Sequence, residues 1–341
     1  MKTPVAVVIS DIHYNINTLS VADAALKQAV SKAQELSVPL FIAGDLHDTK
    51  ANLRGECVTA MINTLKNKGV YTIILRGNHD QINEKSEAHS LDFLSLLNEV
   101  IVVDTHLTYQ NIYFIPYQSS VETFKQILGQ VPKGSTIIMH QGVTGSQSGE
   151  YIQDHSAINK DLLADYRVIS GHYHTRQDIK CGRPRKGLAG LMSYIGNPYT
   201  LNFGEANDPE KGFRVLNDDG TLDFIPTNLR KHRVIELEVR DGYCSVVSGD
   251  IFLGNKEDII KVKASGTKEH LSTITKKTIA EYLNYSGDFK LEMTPKDTIS
   301  IKIKKQAATK EQTLDVIIDN LEHTSIEQKE RLKTLWKAIC K

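Results

Sequence analysis

The stretch Val5-Ala6-Val7-Val8-Ile9-Ser10-Asp11-Ile12-His13 decides how the rest of the chain is read. An unbroken apolar run of this length, with no alternation of polar residues, predicts a strand buried on both faces, and a D-x-H pair follows its end. The same construction recurs four times. Gly44-Asp45-x-x-Asp48 follows Leu40 to Ala43, and Gly77-Asn78-His79-Asp80 follows Tyr71 to Leu75. His140 follows Thr136 to Met139, and Gly171-His172-x-His174 follows Val168 to Ser170. A parallel sheet brings all five segments to one edge.

Between these strands the spacing turns helical. Ala22, Ala25, Leu26, Ala29, Val30, Ala33 and Leu36 predict one helix, and further helices are expected around Cys57 to Lys66 and Leu91 to Leu97. Strands are also expected at Val100 to Val103, Ile112 to Ile115 and Met192 to Ile195. Repeated β-α units imply parallel strands and right-handed crossovers, and this many strands suffices for two sheets. The expected fold class is α/β: a two-sheet sandwich flanked by helices over residues 1–228, followed by a smaller α+β capping domain over 229–305.

After Pro226, Ile235, Leu237 and Val239 alternate with Glu236, Glu238 and Arg240, as in a strand wet on one face. A helix around Leu271 to Leu283 and a strand through Ile299, Ile301 and Ile303 complete that domain. Thr309 with Gln312 and Ser325 with Gln328 have capping-box spacing, so residues 306–341 read as a C-terminal helical hairpin with an apolar stripe to bury.

At 341 residues with 40% apolar composition, about two domains with a sizeable core are expected. Lysine plus arginine equals aspartate plus glutamate at 41 each, so no global field draws a polyanion, and any such ligand must be held locally. Cys57, Cys181, Cys244 and Cys340 form no C-x-x-C pair, which suits reduced thiols. The first apolar run is too short for a signal peptide's core, and no stretch approaches a membrane span, so a soluble, cytoplasmic protein is expected.

Carboxylates, imidazoles and one amide oxygen at strand ends are the donor set for two transition-metal ions sharing a bridging carboxylate. Asp45 is the expected bridge. Asp11, His13 and His174 complete one ion's shell, and Asn78, His140 and His172 complete the other. Mixed nitrogen and oxygen ligation suits Mn2+, with Mg2+, Fe2+ or Zn2+ as alternatives. Two such ions would supply an activated water for in-line attack on phosphorus, with His79 expected to protonate the leaving oxygen as general acid and Asp80 expected to orient or stabilise that imidazole. The remaining histidines at 89, 106, 155, 232, 270 and 323 fit no ligand motif, and His47 is left open because it neighbours Asp45.

D-x-H, G-D-x-x-D, G-N-H-D, H and G-H-x-H in this order resemble the calcineurin-like metallophosphoesterases. Tyr194-Ile195-Gly196-Asn197-Pro198, Phe203-Gly204-Glu205 and Lys211-Gly212-Phe213 are similar to the segment after G-H-x-H in SbcD-type DNA nuclease subunits, and length and order resemble the phage-encoded branch of that family. The resemblance covers residues 1 to 226. It implies a manganese-dependent nuclease, exonuclease on duplex DNA and endonuclease on single strands, paired with an SbcC-type ABC ATPase that carries a coiled coil. It further implies a homodimer within a heterotetramer, and host cytoplasm for a phage-encoded protein. The segment at 306–341 is then the partner-binding element. Tyr14 and Asn15 stand where that family has Leu-Gly, and His47 occupies a usually apolar place.

The basic residues Arg183, Arg185 and Lys186, close after His174, are candidate DNA-phosphate contacts. Leu75-Arg76-Gly77-Asn78-His79 also resembles a protein Ser/Thr phosphatase, although no arginine follows Asp48 as in that family's second motif. A phosphoprotein phosphatase or small-molecule phosphodiesterase is one alternative, and a non-catalytic scaffold of the same fold is another. The filled ligand positions argue against the scaffold.

Overall fold

Parallel strands with apolar residues on both faces must be covered on both sides, and the chain meets this demand by stacking two sheets and placing helices outside them. The computed structural model describes residues 2–48, 50, 52–83, 88–148, 152–153, 158–182, 190–249, 257–296 and 329. They fall into two compact units. One comprises Met1–Ile235, Gly249–Lys261 and Gly287–Lys290, and the other Glu236–Ser248, Val262–Ser286 and the residues from Leu291.

The first unit contains β1 (Pro4–Ile9), β2 (Leu40–Ile42), β3 (Thr72–Leu75), β4 (Val100–Val103), β5 (Leu107–Tyr109), β6 (Ile112–Ile115) and β7 (Thr136–His140). There follow β8 (Gln147–Ser148), β9 (Ile152–Gln153), β10 (Arg167–Gly171), β11 (Gln177–Lys180), β12 (Leu191–Tyr194), β13 (Gly212–Asn217) and β14 (Leu222–Pro226). One sheet has the order β14-β13-β1-β2-β3-β4 and the other β11-β12-β10-β7-β6-β5. Each is parallel at its centre, with antiparallel strands β13 and β14, or β11 and β5, toward the edges.

The two-residue period of β1 divides its side chains between two cores. Ala6 and Val8 join Phe41, Ile73, Phe114, Ile138 and Ile169 in an inter-sheet core. Val7 and Ile9 point the other way, onto α1 (Leu19–Leu36) and α2 (Gly55–Leu65). The buried face of α1 is built largely of Ala22, Ala25, Ala29 and Ala33, small residues that let the helix axis approach the sheet. On the far side, α3 (Val121–Leu128) seats Phe124 and Leu128 against Ile137, Met139 and Val168. α3 escapes the periodicity reading, although Ser120 caps it by accepting from the Thr123 amide.

The predicted helix over Leu91 to Leu97 is instead a 3₁₀ helix over Asp92–Leu96. Its anchoring residues Leu91 and Leu94 are both buried and lie three apart, the repeat a 3₁₀ turn satisfies, and β4 begins too soon for a longer helix.

Register sets the edge that matters. Ile9 pairs with Ile42 and Ile42 with Ile74, so β1, β2 and β3 end level. In the second sheet Gly171 pairs with His140. All five predicted segments therefore emerge on the carboxyl-terminal edges of parallel strands.

The second unit is built around a sheet of order β16-β15-β17-β18, from β15 (His232–Arg240), β16 (Tyr243–Ser248), β17 (Ile259–Gly266) and β18 (Phe289–Pro295). Ile235, Leu237 and Val239 are buried, while Glu236 and Glu238 lie on the wetter face. The helix predicted over Leu271 to Leu283 is two helices, α4 (Lys268–Ser272) and α5 (Lys276–Tyr282). Thr275 interrupts it: its hydroxyl accepts from the Thr278 amide while the Thr278 hydroxyl accepts from the Thr275 amide, a reciprocal cap that starts a new helix. The strand predicted through Ile299, Ile301 and Ile303 and the hairpin at 306–341 lie outside the described residues. Among the described residues no helix is long and apolar enough to cross a membrane.

Candidate metal centre

The loops after β1 and β2 stay hydrogen-bonded beyond the strands: the Asp11 amide donates to Gly44 O, the His13 amide to Asp45 O and the Tyr14 amide to Leu46 O. To keep these bonds and still turn their side chains to a common point, Asp11, His13 and Asp45 adopt φ of 53°, 52° and 51°, and His172 adopts 94°. Left-handed backbone at non-glycine residues costs about 1–3 kcal/mol each and concentrates where geometry serves a site. Glycine is required beside them. A Cβ on Gly77 would lie 2.1 Å from Asp45 Oδ1, and one on Gly44, itself at φ 94°, would lie 2.2 Å from His140 Nδ1.

All seven predicted ligands are brought together. On one side, one donor atom each from Asp11, His13 and His174 falls within a 4.8 Å cluster. His13 Nε2 stands 3.1 Å from His174 Nε2. On the other side, Asn78 Oδ1 lies 3.1 Å from His140 Nε2 and 2.9 Å from His172 Nδ1. Asp45 stands between them, with Oδ2 at 3.8 Å from His13 Nε2 and 3.3 Å from His140 Nε2, while Oδ1 accepts from the His79 amide at 2.8 Å. The Asp11 carboxylate accepts from the His172 amide at 3.1 Å, tying the two sheets together at the site.

These contacts fit a cation. The Ala43 carbonyl, which can only accept, lies 2.7 Å from His140 Nδ1, so that nitrogen carries the proton and Nε2 presents its lone pair to Asp45 and Asn78. His13 and His174 back their Nδ1 atoms onto the carboxylates of Asp48 at 3.1 Å and Glu205 at 2.9 Å, which turns both Nε2 lone pairs toward each other. Electron-rich atoms converging from several elements need a proton or a metal ion between them.

Electrostatics agree. Burial opposes charge on His13, yet the hydrogen bond to Asp48 and the Asp45 and Asp11 carboxylates outweigh it and raise its pKa to about 8. His140 is likewise raised to about 9, burial being overcome by Asp45. Burial, reinforced by His140, pushes His172 down to about 4. Asp45 is held well below the carboxylate range, its burial outweighed by His140 and His13.

A pH dependence with a definite sign results. Raised folded-state values stabilise the metal-free protein fully below 6.5, and this contribution disappears as pH rises through about 8 and then about 9. Thermal unfolding of metal-free protein should show Tm falling from pH 6.5 to 9. With saturating Mn2+ the slope should reverse, because a metal competes with those protons and binds more tightly as they leave. A metal-free Tm that climbs over this interval contradicts the assigned charge states.

His79 is partly exposed, its Nδ1 lies 2.9 Å from the Asp48 carbonyl, and its ring meets that of His13 edge-on at 4.8 Å. The carbonyl fixes the proton on Nδ1 and leaves Nε2 as the exchanging position. Asp80 departs from its expected role of orienting this imidazole. Fully buried, its carboxylate accepts from the amides of Asp45 at 3.0 Å, His47 at 2.9 Å and Gly77 at 2.7 Å, so it braces the ligand loops.

Sequence reasoning gave no role to Asp48 or to Glu205, and of the two Asp48 touches more of the site. Besides backing His13 and holding His79 through its carbonyl, it accepts from Asn15 Nδ2 at 2.8 Å. Its place in G-D-x-x-D was the available signal. Of the phosphate-contact candidates, Arg183, Arg185 and Lys186 lie outside the described residues.

Two stacked mixed sheets that bring nitrogen and oxygen donors around one carboxylate at the carboxyl ends of their parallel strands fit the class of metal-dependent phosphoesterases. The calcineurin-like phosphoesterase family profile matches residues 5–176, half of the chain, and the chain belongs to that family. Exonuclease subunit 1 of Enterobacteria phage T4 is 26% identical over 224 residues, an alignment covering 62% of this chain and 62% of that relative. One solved crystal structure superposes with a TM-score of 0.42 at 11% identity, covering 67% of this chain and 100% of its own.

Proposed function

We infer that this chain is a manganese-dependent DNA nuclease, acting as exonuclease on duplex ends and endonuclease on single strands, and serving as the nuclease subunit of an ATP-driven end-processing complex in recombination, repair or replication. The observation that carries the reading is the pair of ligand groups meeting at Asp45, with the half-exposed His79 beside them. The phage T4 relative, an exonuclease subunit by name, supports DNA as substrate and assembly with other subunits.

In this reading Asp11, His13, His174 and Asp45 hold one divalent ion, and Asp45, Asn78, His140 and His172 the other. When bound, two such ions supply Lewis acidity to the phosphoryl oxygens and lower the pKa of water. The protein's own residues do the rest. Asp45 fixes the separation of the two ligand groups, Asp80 holds the Asp45 and Gly77 loops by their amides, and His79 delivers a proton from Nε2 to the departing oxygen. The mixed nitrogen and oxygen donor set, without a thiolate, suits Mn2+ and also accommodates Mg2+, Fe2+ or Zn2+.

Residues 229–305 act as a capping domain that shapes DNA access, and 306–341 dock an SbcC-type ABC ATPase within a heterotetramer in the cytoplasm. Arg183, Arg185 and Lys186 grip DNA phosphates near the site. A phosphatase would turn a guanidinium to its substrate, but Arg76 is buried and gives Nη2 to the Tyr117 carbonyl.

Digestion of end-labelled duplexes and single strands tests the reading. With Mn2+ the protein should release labelled nucleotides from duplex ends and nick single strands, with duplex processing enhanced by the cognate ATPase. Hydrolysis confined to phosphoprotein or cyclic-nucleotide substrates under the same conditions would overturn it.

A further inference from the structure

The segment between Asn197 and Lys211 builds a buried charged network around Glu205, directly behind the His174 ring. Glu205 is 7% exposed, although a carboxylate is costly to bury unless fully paired. Its Oε1 lies 2.9 Å from His174 Nδ1. Its Oε2 accepts from Asn197 Nδ2 at 2.9 Å and from the Leu201 amide at 3.1 Å, and stands 3.2 Å from Lys211 Nζ. Lys211, 8% exposed, also donates to the His174 carbonyl at 3.1 Å, to Asn197 Oδ1 at 2.5 Å and to Asp208 Oδ2 at 2.6 Å. His174 is thus gripped twice, at its ring by Glu205 and at its backbone by Lys211.

We propose that Glu205 is the positioning residue of His174, holding its Nδ1–H so that Nε2 is aimed at the group formed with Asp11 and His13. The proposal rests on the reading of His174 as a metal ligand. A carboxylate behind a ligating imidazole fixes ring orientation and tautomer and increases its basicity toward a cation, and loss of such a partner typically costs 10- to 100-fold in metal affinity. Asn197, the Leu201 amide and Lys211 keep Glu205 in place, which gives the 197–211 segment a purpose in the site. The same logic applies to Asp48 behind His13, so both imidazoles of this group are backed by carboxylates, whereas His140 in the other group is backed by the neutral Ala43 carbonyl.

Calorimetric titration of the full-length, metal-stripped protein with Mn2+ tests the assignment. Glu205→Ala should weaken one of two binding events 10- to 100-fold and leave the other near its original affinity. Glu205→Gln keeps an oxygen to accept from Nδ1–H but loses the charge, and should fall between Glu205→Ala and the parent. Asp208→Asn removes the other carboxylate from Lys211 without touching the His174 ring and should retain both events.

A folded Glu205→Ala protein with both affinities intact would overturn the proposal, as would an equal loss in Asp208→Asn, which would mark the network as merely structural. Should Glu205→Ala not fold, Glu205→Gln decides: weakening of one event supports the role, and two unchanged events reject it. His174→Ala separates the two levels. If it leaves Mn2+ binding intact, the metal-centre reading itself fails; if it weakens binding while the Glu205 variants do not, only the positioning role fails.

Discussion

Asp45→Ala is expected to remove both metal-binding events and lower phosphodiester cleavage by about 10⁴-fold or more. Its carboxylate lies between the two ligand sets, with Oδ2 3.8 Å from His13 Nε2 and 3.3 Å from His140 Nε2. It is also the charge that outweighs burial at His140. Without it, a cation beside Asn78, His140 and His172 confronts only neutral donors, and one beside His13 and His174 keeps only the Asp11 carboxylate. Each ion is worth several kcal/mol to a phosphoryl transition state, and about 5.5 kcal/mol corresponds to 10⁴ in rate. Metal analysis together with cleavage assays checks this, and a variant that retains two ions per chain would contradict the bridging role. Asp45→Asn gives a milder comparison, keeping an oxygen while losing the charge.

His79→Ala should behave differently: both ions retained, cleavage reduced by about 10²–10⁴-fold, the range expected for a positioned general acid. Its imidazole is held through Nδ1 by the Asp48 carbonyl, and its backbone amide, which an alanine still supplies, is the group that supports Asp45. The two functions of position 79 are therefore separable by substitution. A substrate with a leaving group that needs no proton should recover most of the lost rate. Normal activity on ordinary phosphodiesters would remove His79 from the reaction.

The two variants together distinguish a residue that builds the centre from one that uses it. They also bear on Asp48, whose side chain backs His13 while its carbonyl backs His79. Substitution of Asp48 removes the carboxylate contacts to His13 and Asn15 and leaves the carbonyl that holds His79, so its effect should fall first on the metal and less on proton delivery.

Much of the core was legible because it depends on local patterning. Val5 to Ile9, Leu40 to Ala43 and Ile137 to Met139 have nothing polar to expose, so they read as buried parallel strands, and a strand forms at each. The antiparallel β13, which inserts beside β1, carries Arg214 among apolar residues and follows a three-residue 3₁₀ helix (Phe203–Glu205) rather than an α-helix, so neither signal of a parallel unit marks it. The break between α4 and α5 was hidden for a related reason. Apolar spacing continues across Thr275, and only its reciprocal hydrogen bonds with Thr278 reveal the new start.

What the sequence by itself determined was the set of chemical groups and their place at strand ends, since strand period and parallel crossover are properties of short stretches of chain. What tertiary structure alone decided was how those groups are held. Left-handed backbone at Asp11, His13, Asp45 and His172, the turning of Asp80 toward amides rather than toward His79, and the carboxylates of Asp48 and Glu205 behind two imidazoles all depend on contacts between distant segments. The physical reason is that a hydrogen bond has direction and short range. Its partner is set by where two sheets and their loops come to rest, and Glu205 meets His174 at a sequence separation of 31.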